Sequence, residues 1–188
     1  MNLETKIENF FNSKISLSII FITSFLTIIL SNYVYIYESE LSLQDASEYI
    51  ALANDPKNYF TLPHQGALRI LPSLLVSCLH YFGLSIDFSF KILTYLIFIF
   101  LNYKIYYVMK KFKIKNYLIL SSLAILVYSN HSIIYTVFNY YQLLDLITYI
   151  FIIYFIYLNL NNNLILLFSI SLLSIFTKEY LLILVLYF

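Results

Sequence analysis

Six stretches of this chain are poor in charge and rich in Ile, Leu, Phe and Tyr, at about 15–37, 67–83, 86–109, 116–137, 143–158 and 164–186. The cleanest runs from Ile15 to Tyr37, 23 residues without a charged side chain. An α-helix rises 1.5 Å per residue, so about 20 such residues cross the ~30 Å hydrocarbon of a bilayer. Little else in the chain could cover a soluble surface. Charged residues make up 11% of the chain and hydrophobic ones 61%, with mean hydropathy +0.81; a soluble domain carries roughly 25% charged residues. The pattern predicts an all-α, polytopic transmembrane helical bundle. No repeat or Pro- or Ser-rich linker divides it, so residues 1–188 read as one membrane domain. The first stretch is too long for a signal-peptide core and is followed by Tyr33, Tyr35 and Tyr37 rather than small residues. It reads as a retained helix ending in an interfacial aromatic belt.

Several function classes fall away. A net charge of +1 gives no field for nucleic acid. The single Cys78 excludes an intramolecular disulfide framework and a cysteine-based zinc site, and no metal site is assigned. With two glycines in all, a Gly-rich phosphate loop is absent.

Charge sets the expected topology. Lys110, Lys111, Lys113 and Lys115 form the densest basic cluster, which the positive-inside rule places in the cytoplasm. With Lys6 and Lys14 also inside, an even number of crossings must separate them, and the stretches at 15–37 and 86–109 supply two. The segment at 67–83, short and interrupted by Arg69 and Pro72, then does not cross. The expectation is about five spans plus one re-entrant or interfacial segment. In the six-span alternative four lysines lie outside and Asp45 and Asp145 face opposite sides. The five-span arrangement gathers the polar 38–67 loop, Arg69, the Asn139–Asp145 patch and the outer half of the last helix on one side.

Within that loop, Ser42 to Asn54 reads as a short amphipathic helix. Leu43, Ala46, Ile50 and Ala53 form its apolar face, with Asp45, Glu48 and Tyr49 elsewhere. Ser42 is the expected N-cap, and Asn54-Asp55-Pro56 the stop. Asp45, with Glu48 and Tyr49 beside it, is the candidate for acid–base work: a carboxylate there can take a proton from a hydroxyl or bind a divalent cation. An ordinary solvated helix face explains the same spacing. His64 and Arg69 follow, and an arginine at the bilayer suits a phosphate through its bidentate fork. Asp145 opens a span, where it also complements the helix dipole. Lys178 and Glu179 lie within the last apolar stretch, either snorkelling to the interface or facing a polar cavity. His80 and His131 read as polar groups near an interface.

The order of features resembles the start of glycosyltransferases of the GT-C type, polytopic enzymes that use lipid-phosphate-linked sugars. The likeness lies in an N-terminal span, the acidic DASEYIALA segment, HQGALRILPSLLV, a lysine-rich loop, NYYQLLD opening a span, and LLSIFTKEYLLIL. It implies that Asp45 is the catalytic base and that Arg69 and Lys178 engage the lipid phosphate. Asp145 would match a second acidic position, with Tyr49, His64 and Glu179 as neighbouring substrate contacts. It further implies a polyprenyl-phosphate sugar donor, multi-pass residence in a bacterial inner membrane among its lipids, and no cofactor beyond a divalent cation. Two departures stand out: Ala46 where the family often has Gly after the Asp, and a chain shorter than the family's. The second suggests the N-terminal part of a larger enzyme, or one completed by a separate C-terminal half. A non-catalytic transporter-like or structural subunit is the competing reading; inverted repeats and broken helices, usual in transporters, are missing from the sequence.

Overall fold

The computed structural model describes residues 3–33, 40–57, 69–129 and 131–177, a few of them by the backbone alone. Among these residues every regular element is helical, in the order α1 (Leu3–Phe10), α2 (Ser13–Ser31), α3 (Glu40–Asn54), α4 (Ile70–Tyr81), α5 (Ile86–Lys111), α6 (Asn116–Leu123), α7 (His131–Phe138), α8 (Leu143–Leu160) and α9 (Leu164–Ile175). A wider π-helical segment, Ala124–Ser129, continues α6, and a 3-10 turn, Tyr140–Gln142, leads into α8. Three helices, α2, α5 and α8, are long and apolar enough to cross a membrane.

Local chemistry sets the helix ends. Asn12, Ser85 and Asn163 cap α2, α5 and α9, their side-chain oxygens accepting N–H groups of Ile15, Phe88 and Leu166 at 3.0, 3.3 and 3.2 Å. Gly83, Lys113 and Asn162 hold φ of 94°, 58° and 52°, the left-handed region that stops a helix. At each stop two N–H groups return to the last turn. Gly83 donates to His80 and Leu84 to Leu79; Lys113 to Lys110 and Ile114 to Met109; Asn162 to Asn159 and Asn163 to Leu158. The next helix begins within a few residues. These three reversals make the α4–α5, α5–α6 and α8–α9 hairpins.

The packing is the reverse of a soluble bundle's. On α2 the buried residues are Ser16, Ile20, Ser24 and Thr27, while Phe21, Ile22, Phe25, Leu26 and Leu30 face outward. On α9 Ser171 and Ser174 are buried, while Ile165, Phe168, Leu172 and Leu173 are exposed. Small polar residues allow close approach and bond across helices where lipid gives apolar groups no reason to hide. Asn102 on α5 donates to Ser24 on α2 at 2.9 Å in the interior.

The bundle has two chemically distinct ends. Lys111 bonds Asn161 in the α8–α9 turn, and Asn116 donates to the Phe11 carbonyl between α1 and α2 at 2.6 Å, so these junctions share the lysine end. At the other end Tyr95 of α5 bonds Ser31 and Asn32, where α2 stops. α5 therefore continues about 14 Å past that level, at 1.5 Å per residue. α4 packs on this extension, and α3 packs on α4.

Several expectations shift. The first helix stops at Ser31, not Tyr37; residues 34–39 lie outside the described ones. Glu40 is already helical, which places Ser42 inside α3 rather than at its cap. The stop at Asn54 is as expected, with Asp55 accepting the Lys57 N–H at 3.0 Å. The 116–137 stretch is not a uniform α-helix, because it widens to a π-helix over Ala124–Ser129. The 67–83 segment yields only the 12-residue α4, about 18 Å long and short of a bilayer.

Candidate functional site

The end opposite the lysines carries Tyr49, Arg69 and Asp145 of the residues singled out above. Ala46, Tyr49, Leu52 and Ala53 are the buried face of α3. Their spacing of three and four residues places Tyr49, 6% exposed, on the buried stripe rather than on a solvated face. The Ser73 hydroxyl of α4 donates to the Tyr49 carbonyl at 3.2 Å. Tyr49, Ala53, Val76, Phe90, Leu143, Leu144 and Ile147 form one core, so the first turn of α8, which carries the half-buried Asp145, lies against the α3–α4 pair. α3 is thereby fixed on the bundle by its small and aromatic residues.

Arg69, half-buried, precedes α4. Two residues on, the Leu71 N–H donates to the Phe176 carbonyl at the end of α9, at 3.1 Å. That bond spans more than a hundred residues of sequence and closes the site. It ties the start of α4 to the end of α9, next to the wholly buried Thr177. Tyr49, Arg69 and Asp145 are thus on elements in mutual contact. Lys178, Glu179 and His64 lie outside the described residues, as does the side chain of Asp45, whose backbone is in α3.

One polar cluster was not anticipated. The Asp87 carboxylate, in the first turn of α5, accepts both the Tyr140 and Tyr141 hydroxyls at 2.7 Å. Lys91, one turn further, stands 5.0 Å from the centre of the Tyr140 ring. Thr94 donates to the Tyr140 carbonyl at 3.1 Å. Burial, then the bond to Asp87, pushes the Tyr140 hydroxyl far above the usual phenol range. An Asp and a Lys four residues apart at the head of a span, with a Tyr-Tyr pair before another, is the signal that could have found it.

Asn139, just before this turn, is 3% exposed, and neither its side-chain nitrogen nor its side-chain oxygen has a hydrogen-bond partner among the described residues. Among the described residues no three His, Cys, Asp or Glu side chains gather as a metal site. Compared with known protein families, curated proteins and solved structures, the chain matches none of them. What remains is chemistry: a rim where an arginine and two carboxylate-bearing helices meet the end of α9.

Proposed function

We propose that the chain is the membrane portion of a glycosyltransferase that takes a sugar from a lipid-phosphate-linked donor and transfers it on the outer face of the membrane. The lysine end is cytoplasmic by the positive-inside rule. α2, α5, the α6–α7 unit, α8 and the stretch begun by α9 then cross in alternate directions, five spans in a multi-pass protein of the cell membrane. The α3–α4 pair leans on the projecting head of α5 and lies at the outer interface without crossing.

The supporting observation is the Leu71–Phe176 hydrogen bond. It holds the Arg69 end of α4 against the end of α9, and in the proposed site Lys178, two residues further along the sequence, serves the same phosphate as Arg69. In the proposed reaction the acceptor hydroxyl gives its proton to the Asp45 carboxylate. The freed oxygen attacks the anomeric carbon, and the bond from that carbon to the phosphate oxygen breaks. The lipid phosphate leaves with the electron pair, and Arg69 and Lys178 offset its charge. His64, Asp145 and Glu179 complete the lining, and Tyr49 holds α3 in place from within. A divalent cation beside Asp45 belongs to the proposal; transfer that survives a chelator removes it.

The test is sugar transfer from a polyprenyl-phosphate donor in membranes containing the protein. Asp45→Asn is expected to lower transfer by about 10²-fold or more, the contribution of a general base, at an unchanged protein level. Arg69→Gln should weaken donor use more than acceptor use. Equal transfer by wild type and Asp45→Asn sinks the assignment. A second reading, a non-catalytic subunit, draws on the burial of Tyr49 and the pairing of Asp87 with two tyrosines, both of which serve packing. It predicts no transfer by the wild type from any such donor.

A further inference from the structure

The lipid-facing seam between α2 and α5 is not filled. An open groove of about 640 Å³ runs along it, lined by Leu17, Ile20, Phe21, Leu96, Ile99 and Phe100 among others. A second groove of about 260 Å³ continues it toward the lysine end, between Ser13, Tyr103, Tyr107 and Lys110. Leu17 and Tyr103 line both, so the two form one channel.

Its chemistry changes along its length. The upper part is aliphatic and aromatic apart from Ser18, whose hydroxyl donates to the Lys14 carbonyl of its own helix, and the hydroxyl of Tyr103. The lower mouth carries the ammonium of Lys110, the hydroxyls of Ser13 and Tyr107, and exposed Lys14 next in the chain to Ser13. From Lys110 to Leu96 the channel follows α5 for about 21 Å at 1.5 Å per residue. One leaflet contributes roughly 15 Å of hydrocarbon, half of the ~30 Å core, before its headgroups begin. A protein helix in this seam would need apolar contact over the full bilayer depth. A groove that is apolar for one leaflet and cationic at its headgroup level fits a lipid instead.

We propose that the α2–α5 channel holds one anionic phospholipid of the cytoplasmic leaflet, its acyl chain against Phe21 and Leu96 and its phosphate at Lys110. Tyr103 and Tyr107, stacked on each other with ring centres 6.4 Å apart, form the wall at glycerol depth. Juxtamembrane lysines attract anionic headgroups at the cytoplasmic surface, and the groove turns that general attraction into a site. The inference rests on the orientation proposed above and not on the glycosyltransferase reading, and its test is independent of any activity.

The chain is purified in nanodiscs of equal phosphatidylglycerol and phosphatidylcholine, and the lipids retained on release are counted by native mass spectrometry. Wild type is expected to retain one phosphatidylglycerol with at least a tenfold preference. Lys110→Gln should cut that preference to below threefold while a lipid is still retained. Leu96→Trp, which fills the groove, should abolish retention. Equal retention of both lipids by wild type, or an unchanged preference in Lys110→Gln, overturns the proposal. A mass of two chains with no lipid overturns it in favour of self-association.

Discussion

Asn139, 3% exposed, has a side-chain amide with no hydrogen-bond partner among the described residues, an arrangement that costs about 1–3 kcal/mol for the polar group left unpaired. Replacing it by leucine, of similar volume, removes that penalty. Asn139→Leu is therefore expected to keep or raise the thermal midpoint. A fall of more than about 3 °C, roughly 1 kcal/mol for a chain of this size, would show that the amide is satisfied in the working protein by water or ligand. Tyr140, close by, makes a pH prediction. Its folded pKa lies above the ordinary value of about 10. The neutral phenol is thus favoured by folding. Its contribution is complete below about pH 10 and is lost as pH rises beyond it. Unfolding followed from pH 8 to 12 should show stability falling in the alkaline range for wild type. A shallower slope is expected for Tyr140→Phe, and an identical slope would contradict the assignment.

The helices themselves were largely legible in the sequence, and the reasons are local. Apolar runs bounded by Asn12, Ser85 and Asn163 mark α2, α5 and α9 because those side chains cap helices by reaching their own backbone. The π-helical widening at Ala124–Ser129 is hidden within an apolar run, since a change of helical pitch leaves no compositional trace. The burial of Tyr49 is set by the packing of α4 on α3, a tertiary contact that the spacing of apolar residues within α3 does not encode. The stop at Lys113 was equally invisible: lysine in the left-handed region has no sequence signal and costs about 1 kcal/mol over glycine. That cost can be measured. Lys113→Gly (φ 58°) should stabilise the α5–α6 hairpin by about 1 kcal/mol, and Gly83→Ala (φ 94°) should destabilise the α4–α5 hairpin by a similar amount. Open space surrounds Gly83, so a Cβ there meets backbone strain alone. Matched effects of the same sign would show that the turns are not set by these residues.

At the scale of the molecule, the polar site depends on contacts no local pattern encodes. Asp87 finds Tyr140 and Tyr141 more than fifty residues away, and Leu71 meets Phe176 from opposite halves of the chain. Both follow from which end of the bundle each junction occupies, and that is a question of topology. Charge alone leaves two arrangements, five spans with the 67–83 segment at the outer interface or six with that segment crossing. Helix α4, at about 18 Å, is too short to cross ~30 Å of hydrocarbon. Its end at Tyr81, 87% exposed, leads directly into the head of α5, which projects past the end of α2. Five spans therefore place Lys57 and Tyr81 on one side and Lys113 and Asn162 on the other. With Cys78 replaced by serine, single cysteines at these four positions can be probed with a membrane-impermeant maleimide. Positions 57 and 81 are expected to label in intact cells, and 113 and 162 only after permeabilisation. Labelling of 57 and 81 from opposite faces would mean that the segment between them crosses. In that case Arg69 would lie within the bilayer rather than at its rim, and the phosphate site proposed there would lose its access.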